Sequence, residues 1–332
     1  MPLIVKAFGK TDIGLVRSGN EDNLLLDDDL MVYAVCDGMG GHQAGEVASM
    51  TAVDTIAKVF SCQEQNILGD PRLDLGRTLP PRAELLVKAV RLANRAVFMH
   101  SAENPRLAGM GTTVVSCALE ADTMAVVHVG DSRAYRLGER ELEPLTRDHS
   151  WVQEIQQTQN ISAEEASSVV GKNIITRALG VRENVEADLR IVKIRPGDTF
   201  ILCSDGLCGF ADDYEIFDVA TRHRDDLKKM TEALVQMAND RGGTDNVTVI
   251  TMKVVEIKDS PLPELEAVTF AAENEETSAT EDEWLNKLAE DCADEEEPPG
   301  NRGKSTHNRW VMALIFVVFV LVAVVIILTQ HQ

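Results

Sequence analysis

The chain has 332 residues and a formal net charge of −22, and residues 256–300 hold 16 acidic but only 2 basic residues. This acidity excludes a protein that binds nucleic acid through its overall charge, so no nucleic-acid partner is expected. The length allows one large domain or two ordinary ones with appendages. Cys36, Cys117 and Cys203 lie in apolar runs, which indicates buried, reduced thiols. The N-terminus, MPLIVKAFGK, lacks the apolar core of a secretory signal.

Strand-like and helix-like segments follow one another through residues 1–255. Apolar runs predict strands at 31–36, 112–118, 124–129, 199–203 and 247–254. Helical spacing of apolar residues predicts helices at about 44–60, 82–101, 148–157, 163–170 and 226–241. The strand-like runs are mostly continuous, which indicates strands buried on both faces. We therefore expect sheet stacked on sheet, with amphipathic helices outside.

A loop with four glycines, DGMGGHQAGE, joins the first of these strands to the first helix. Such loops commonly bind phosphate through bare backbone amides and a helix N-terminus. The loop matches neither the dinucleotide-binding spacing, counted from Gly38, nor the P-loop spacing, counted from Gly40. It carries the carboxylates Asp37 and Glu46 where a phosphate site would carry a lysine. Carboxylates beside flexible backbone carbonyls suit a hard cation better.

Aspartate recurs at the strand ends. Asp37, Asp131 and Asp205 each end an apolar run next to glycine, and Asp245 stands just before the last run. Aspartate beside glycine is usually only a turn former, and Asp198 in RPGDTF is taken as one. If the last strand runs opposite to the others, however, all four carboxylates reach the same edge. Clustered carboxylates repel one another unless divalent cations neutralise them, and the lack of His/Cys ligand spacing argues against structural zinc.

A further charged cluster lies near the N-terminus, in TDIGLVRSGNEDNLLLD. Arg17 stands three residues before Asn20, which is followed by Glu21 and Asp22. In isolation this pattern indicates a surface loop with a solvated salt bridge. Beside a dinuclear cation site it favours a phosphate clamp, because an arginine fork matches a tetrahedral oxyanion.

The C-terminus carries 18 consecutive apolar residues, at 311–328. A membrane-spanning helix needs about 20 predominantly apolar residues, so we expect a single transmembrane helix at 310–329 and a short extracytoplasmic tail at 330–332. A buried core helix is the alternative, but the run lacks a polar face. Three basic residues precede it, which by the positive-inside rule leaves residues 1–309 in the cytoplasm.

Residues 256–309 are rich in Glu, Asp, Pro, Ser and Thr and are predicted to form an acidic disordered linker. Within this segment, WLNKLAE at 284–290 has the spacing of one or two amphipathic helical turns. Two alternatives stay open for it: docking on a partner, or no role. Residues 1–255 are predicted to form the globular domain.

Eight motifs together resemble one known family. RSGNEDN, DGMGGHQAGE, GMGTT, VGDSRAY, LTRDHS, NIITRALG, CSDGL and GGTDNVTV, in this order, are similar to the bacterial form of the metal-dependent serine/threonine protein phosphatases of type 2C. The resemblance runs from about residue 8 to 254. It implies an α+β fold, a four-layer α/β/β/α sandwich of two antiparallel sheets flanked by helices, in a monomeric catalytic domain. It also implies phosphomonoester hydrolysis by water that bridges two Mn²⁺ or Mg²⁺ ions, without a phosphoenzyme.

The resemblance also implies roles for particular residues. The implied roles are these: Asp37 bridges the metals, Gly38 offers its carbonyl, Asp205 and Asp245 complete one ion's shell, Glu21 and Asp22 act nearby largely through metal-bound waters, Asp131 serves a third, weaker metal position, and Arg17 holds the substrate phosphate. His42 is the candidate proton donor to the leaving oxygen. Some members place histidine directly after Asp-Gly, where this chain has Met39, and a solvated histidine at the helix start is the alternative.

The sequence thus predicts a phosphatase tethered to the cytoplasmic face of the cell membrane. Its expected partners are phosphorylated proteins and a cognate Ser/Thr kinase, whose signalling it would reverse. One alternative is a relative that dephosphorylates a partner-switching regulator, which the GGTDNVTV and DHS motifs disfavour. The other is a catalytically inactive module that shields phosphoproteins. It is disfavoured because every expected metal carboxylate is present.

Overall fold

Two antiparallel β-sheets form the centre of the fold. The computed structural model describes residues 3–41, 43–159, 174–257, 265–270 and 275–291. In chain order, the strands within these ranges are β1 (Ile4–Asp12), β2 (Asp22–Asp27), β3 (Val32–Met39), β4 (Gly111–Thr112), β5 (Val114–Glu120), β6 (Thr123–Val129), β7 (Arg133–Leu137), β8 (Leu142–Pro144), β9 (Ala187–Lys193), β10 (Thr199–Cys203), β11 (Val247–Glu256) and β12 (Leu265–Phe270). The helices within them are α1 (Gln43–Cys62), α2 (Glu64–Gly69), α3 (Pro81–Glu103), α4 (Trp151–Gln159), α5 (Asp205–Cys208), α6 (Asp213–Arg222), α7 (Leu227–Asp240) and α8 (Glu275–Asp291).

The two sheets pack face to face through apolar side chains. One sheet has the strand order β1-β11-β10-β7-β8, and the other has the order β12-β9-β6-β5-β3-β2, with β4 paired to β3. Tyr33, Phe200 and Ile250 are fully buried in an apolar cluster to which both sheets contribute. Strands β6 and β10 are buried at every position. This burial confirms the prediction of strands covered on both faces.

Helices cover the outer face of each sheet. Helices α1 and α3 pack on the sheet that contains β3, β5 and β6. On the other sheet, Met230 and Leu234 of α7 pack against Ile201 and Val249. Helix α6 begins at a capping box, in which the Asp212 side chain accepts a hydrogen bond from a backbone N–H of the first turn. The described chain therefore has the predicted α+β sandwich, with two antiparallel sheets flanked by helices.

Several elements were not predicted because they lack a continuous apolar run. Strand β1 reads IVKAFGKTD and strand β9 reads ADLRIVK, so polar and apolar side chains mix along both. The predicted helix at 163–170 lies outside the described residues.

Cys36, Cys117 and Cys203 are buried free thiols, as expected. Cys62 differs, because it is disulfide-bonded.

The structure corrects the prediction of a disordered linker at 256–309 for two of its segments. Strand β12 pairs with β9 and so extends the sheet, and helix α8 packs against α3 and α1. Trp284 and Leu288 are buried, and the Trp284 indole N–H donates a hydrogen bond of 2.9 Å to Asp70 Oδ2. The 284–290 segment therefore docks on this chain itself. The ordered unit extends beyond residue 255, to Asp291.

Acidic side chains of α8 pair with arginines of the domain, which explains why an acidic segment folds here. Glu281 forms an ion pair with Arg91, and Asp282 forms one with Arg95. A segment that cannot build its own core needs only one face covered when it docks on an existing domain. The rest of the predicted linker, 292–309, and the predicted membrane helix at 310–329 lie outside the described residues. Of the helices that the structure describes, none has the length and apolar character needed to span a membrane.

The ion pair between Arg91 and Glu281 predicts a measurable loss of stability. Both side chains are almost fully buried, with 6% and 2% of their surface exposed. Glu281→Ala leaves a buried cation unpaired, so we expect the free energy of unfolding to fall by about 3–5 kcal/mol in urea denaturation. Glu283→Gln is the control, because Glu283 pairs with Arg72 at the surface, and it should cost less than about 1 kcal/mol. Equal losses for the two variants would contradict the docked position of α8.

Candidate metal centre

Strand pairing brings the predicted aspartates to one edge of the sandwich. Asp22 and Asp37 stand directly opposite each other on β2 and β3. Asp205 follows β10 and Asp245 precedes β11, and these two strands are antiparallel neighbours. Arg133 on β7 pairs with Cys203 on β10, so Asp131, two residues before Arg133, lies at the same end as Asp205. Ser204 and Thr248, from the other sheet, donate hydrogen bonds to Asp22, so the four repeated aspartates and Asp22 lie at the same end of the two sheets, as the strand directions predicted.

These carboxylates are close enough to perturb one another. Burial is the largest cause that raises the pKa of Asp37 well above its usual range, and the charges of Asp22, Asp205 and Asp131 follow. Burial, then the charges of Asp205 and Asp148, raises the pKa of Asp131 to about 7. Burial, then the charge of Asp245, likewise raises the pKa of Asp205. The cluster thus holds more negative charge than the protein neutralises by itself.

Asp22 lies deep in the cluster. It is 4% exposed, and its Oδ2 accepts hydrogen bonds from Ser204 Oγ at 2.9 Å and from Thr248 Oγ1 at 2.7 Å. Burial raises the pKa of Asp22 to about 7, although the two hydroxyl donors lower it. These hydroxyl groups hold the carboxylate in place through Oδ2 alone.

Two buried oxygen atoms of the cluster have no hydrogen-bond donor among the described residues, and they indicate what the site can hold. They are Oδ1 of Asp22 and Oδ1 of Asp205. A buried carboxylate oxygen without a donor is costly, and a cation removes that cost. Carboxylate and carbonyl oxygens are the ligands that Mg²⁺, Mn²⁺ and Ca²⁺ prefer. The residues present therefore fit a hard divalent cation.

The glycine-rich loop places backbone where a side chain would not fit. A Cβ atom on Gly38 would lie 2.1 Å from the carbonyl oxygen of Gly45, and a Cβ on Gly45 would lie 2.1 Å from Glu21 Oε2. The Gly38 N–H donates a hydrogen bond of 3.1 Å to the Glu21 carbonyl oxygen, and Ser49 Oγ of α1 donates one of 2.6 Å to the same oxygen. The glycines thus serve close packing of Glu21, β3 and the start of α1 around the carboxylates.

Asn246 organises the N-terminal motif, and the sequence reasoning did not identify it. Its side-chain amide donates hydrogen bonds of 3.0 Å to the carbonyl oxygens of Ile13 and Gly19. Its side-chain oxygen accepts one of 2.8 Å from the Glu21 backbone N–H. The sequence did contain one indication of this role: in GGTDNVTV, Asn246 stands directly after Asp245 and before a buried strand. Ser204 and Thr248 were missed in the same way, since each looks like an ordinary polar residue beside a strand.

Arg17 reaches the cluster through Asp245. Its Nη2 atom lies 2.8 Å from Asp245 Oδ2, and the two side chains are 50% and 30% exposed. The hydrogen bond with Asp245 is the main reason that the pKa of Arg17 is raised, and the charges of Glu21 and Asp37 add to it. Arg17 therefore stands at the open side of the site. His42, the candidate proton donor, lies outside the described residues, and its role stays a prediction.

Comparison with known proteins agrees with this geometry. The family model described as Protein phosphatase 2C matches residues 18–249. The serine/threonine phosphatase stp of Listeria monocytogenes is 36% identical over 247 residues, which cover 74% of this chain and 94% of that protein. The serine/threonine protein phosphatase PstP of Mycobacterium tuberculosis is 35% identical over 257 residues, which cover 76% of this chain and 46% of that protein.

Solved structures agree as well. The crystal structure of the PstP catalytic domain in complex with two manganese ions superposes with a TM-score of 0.64 at 34% identity, and the match covers 76% of this chain and all of that one. Strand β12 and helix α8 lie beyond the residues that the family model matches. Fold, motif order and carboxylate geometry lead to one conclusion: this chain belongs to the protein phosphatase 2C family of metal-dependent serine/threonine phosphatases.

Proposed function

We propose that this chain hydrolyses phosphoserine and phosphothreonine monoesters in proteins, with two Mn²⁺ or Mg²⁺ ions as cofactors. The observation that carries the proposal is the meeting of Asp22, Asp37, Asp131, Asp205 and Asp245 at one end of the two stacked sheets, with two buried oxygen atoms that have no donor among the described residues. A carboxylate cluster of this density is stable near neutral pH only when cations share it.

The chain supplies ligands of two kinds. Asp37, Asp205 and Asp245 are proposed as direct carboxylate ligands, and Gly38 as a backbone carbonyl ligand. Glu21 and Asp22 support them from β2 and the loop before it. Asp131 would hold a third, weaker ion.

When bound, the two cations supply a water molecule of lowered pKa and neutralise charge that develops on the phosphoryl group. Arg17 binds the substrate phosphate with its guanidinium fork. An exposed ion pair such as Arg17–Asp245 contributes only about 0–1 kcal/mol, so Arg17 can exchange Asp245 for a phosphate at small cost.

We further propose that the enzyme is tethered to the cytoplasmic face of the membrane, where it reverses the action of a Ser/Thr kinase. The apolar run at 311–328 supports the tether, and the basic residues just before it support the orientation.

Loss of one metal ligand should abolish turnover. With Mn²⁺ present, Asp205→Asn should lower the rate of p-nitrophenyl phosphate hydrolysis by at least about a hundredfold, because loss of a direct ligand exceeds the effect of an outer-shell change. EDTA should have the same effect on the unaltered protein. Asp218→Asn, on an exposed face of α6, is the matched control and should leave the rate unchanged. An unaltered protein with no Mn²⁺-dependent hydrolysis would instead favour an inactive module that binds phosphoproteins.

The carboxylate cluster should make metal-free protein less stable as pH rises. The folded-state pKa values of Asp22 and Asp131 are raised to about 7, so the folded protein binds their protons more tightly than the unfolded chain does. The stability gained from this proton binding is complete below about pH 4 and is lost as pH rises through about 7. In EDTA, the melting temperature should therefore fall between pH 5 and pH 8, and Mn²⁺ should restore it most at pH 8. Asp22→Asn should flatten the profile in EDTA. A melting temperature in EDTA that rises over this range would contradict the charge repulsion.

The tether predicts where the protein sediments. The full chain should sediment with membranes and resist alkaline carbonate, whereas Phe319→Asp with Val322→Asp should release it, because each charge at the centre of a helix costs about 2.5–3.5 kcal/mol on insertion. Hydrolysis of p-nitrophenyl phosphate by the released protein is the control and should be unchanged. Extraction of the unaltered chain by carbonate would refute the tether.

A further inference from the structure

A buried histidine–aspartate cluster lies beside the metal centre. The rings of His128 and His149 stack with their centroids 4.6 Å apart, and His149 Nε2 lies 3.3 Å from Asp188 Oδ2. Each of the three side chains offers a possible metal-ligand atom within 4.8 Å of the others. Neither the resemblance nor the proposed mechanism gives these residues a role.

The hydrogen bonds of the cluster argue against a metal ion there. The Gly130 backbone N–H donates a hydrogen bond of 3.1 Å to His149 Nδ1, so the proton of the neutral ring sits on Nε2 and faces Asp188. His128 Nε2 lies 2.7 Å from the Arg147 carbonyl oxygen and must also carry its proton. Burial, then the neighbouring His149, lowers the pKa of His128 to about 4, so this ring is neutral near pH 7. The two histidine rings are therefore held by hydrogen bonds to backbone atoms rather than by a metal ion.

His149 holds the turn that carries Asp131. Its backbone N–H donates a hydrogen bond of 2.9 Å to the Gly130 carbonyl oxygen, and its ring accepts one from the Gly130 N–H. Gly130 has φ +110°, and a Cβ atom there would lie 2.7 Å from the Thr113 side chain. Asp131 is the next residue. His149 thus makes two hydrogen bonds with the backbone of Gly130, the residue that precedes the candidate metal ligand Asp131.

The same turn is linked to Asp37. Ser132 Oγ lies 2.7 Å from Thr113 Oγ1, which also accepts a hydrogen bond of 3.1 Å from the Asp37 backbone N–H. A shift of the Gly130–Asp131 turn would therefore displace Asp131 and also, through Thr113, the backbone of Asp37.

Asp188 orients the His149 ring, and the C-terminal segment in turn holds Asp188. Thr269 on β12 stands opposite Asp188 on β9, and its hydroxyl donates a hydrogen bond of 2.6 Å to Asp188 Oδ1. His149 Nε2 lies 3.3 Å from Asp188 Oδ2 and has no well-aligned acceptor among the described residues, so the ring and the carboxylate meet as a polar contact rather than an aligned hydrogen bond. The position of the Asp188 carboxylate then decides where the ring points.

We propose that residues 265–270 and 275–291, here called the C-terminal strap, position Asp131 through Thr269, Asp188 and His149. These three are positioning residues, since none of them is among the candidate ligands. This inference rests on the proposed function, in which Asp131 holds the weaker metal ion. Docking of α8 by its ion pairs with Arg91 and Arg95 keeps β12 on the sheet, so the strap makes the weaker metal position depend on a segment beyond the family match.

Thr269→Val tests the proposal in the full chain, in detergent, because valine has the shape of threonine without its hydroxyl. Loss of one hydrogen bond should raise the Mn²⁺ dissociation constant of the weakest site about three- to tenfold in titration calorimetry. It should raise hydrogen exchange of the Gly130 amide by a similar factor in metal-free protein. Thr269→Ser should restore both values, and Glu283→Gln, elsewhere in the strap, should change neither.

A double-mutant cycle tests the route. If the effect passes through His149, Thr269→Val should add nothing in a His149→Gln background, whereas additive effects would overturn the relay. Unchanged Gly130 exchange and unchanged Mn²⁺ binding in Thr269→Val would overturn the whole inference. The Gly130 measurement needs no turnover, so its outcome is separate from failure of the unaltered chain to hydrolyse p-nitrophenyl phosphate, which would refute the proposed function instead.

Discussion

Repulsion among carboxylates at one end of the two stacked sheets is the constraint on which the rest of this structure depends. Each strand that ends there brings an acidic group into a region where burial already disfavours charge. The protein offsets only part of the cost, with hydroxyl donors to Asp22 and the guanidinium of Arg17. The remaining negative charge is what gives the site its affinity for a divalent cation.

Holding repelling groups together requires a rigid frame, and the stacked sheets provide it. Strands β6 and β10 are buried along their whole length, so their ends cannot shift without disturbing the packed core. The loops are fixed as firmly. Asn246 pins the backbone on both sides of Arg17, and Gly38 and Gly45 allow contacts that any side chain would prevent. The same backbone closeness that resembles a phosphate-binding loop here serves the packing of acidic residues.

The sequence predicted what repeats along the chain and missed what depends on distant partners. Aspartate at several strand ends is a pattern, and with antiparallel strands it predicts a shared site. Asn246 could not be recognised, because its value lies in accepting from Glu21 and donating to two carbonyl groups more than 200 residues away. The burial of Asp22 was missed for a related reason: its hydroxyl partners belong to β11 and to the end of β10. Contacts that cross the sheet leave no local signal.

Helix α8 was missed for a different reason. Its acidic composition predicted a disordered linker, although the helix is docked on the domain. Charge counting treats Glu281 and Asp282 as solvated, yet Arg91 of α3 would be a buried, unpaired cation without Glu281. Such a cation is costly, so a helix that docks over Arg91 needs an acidic residue at the position of Glu281. Helix α8 is therefore part of the folded domain. Its acidic side chains are neutralised by arginines of the domain, so this segment can be strongly acidic and still pack onto a protein whose catalytic edge is acidic too.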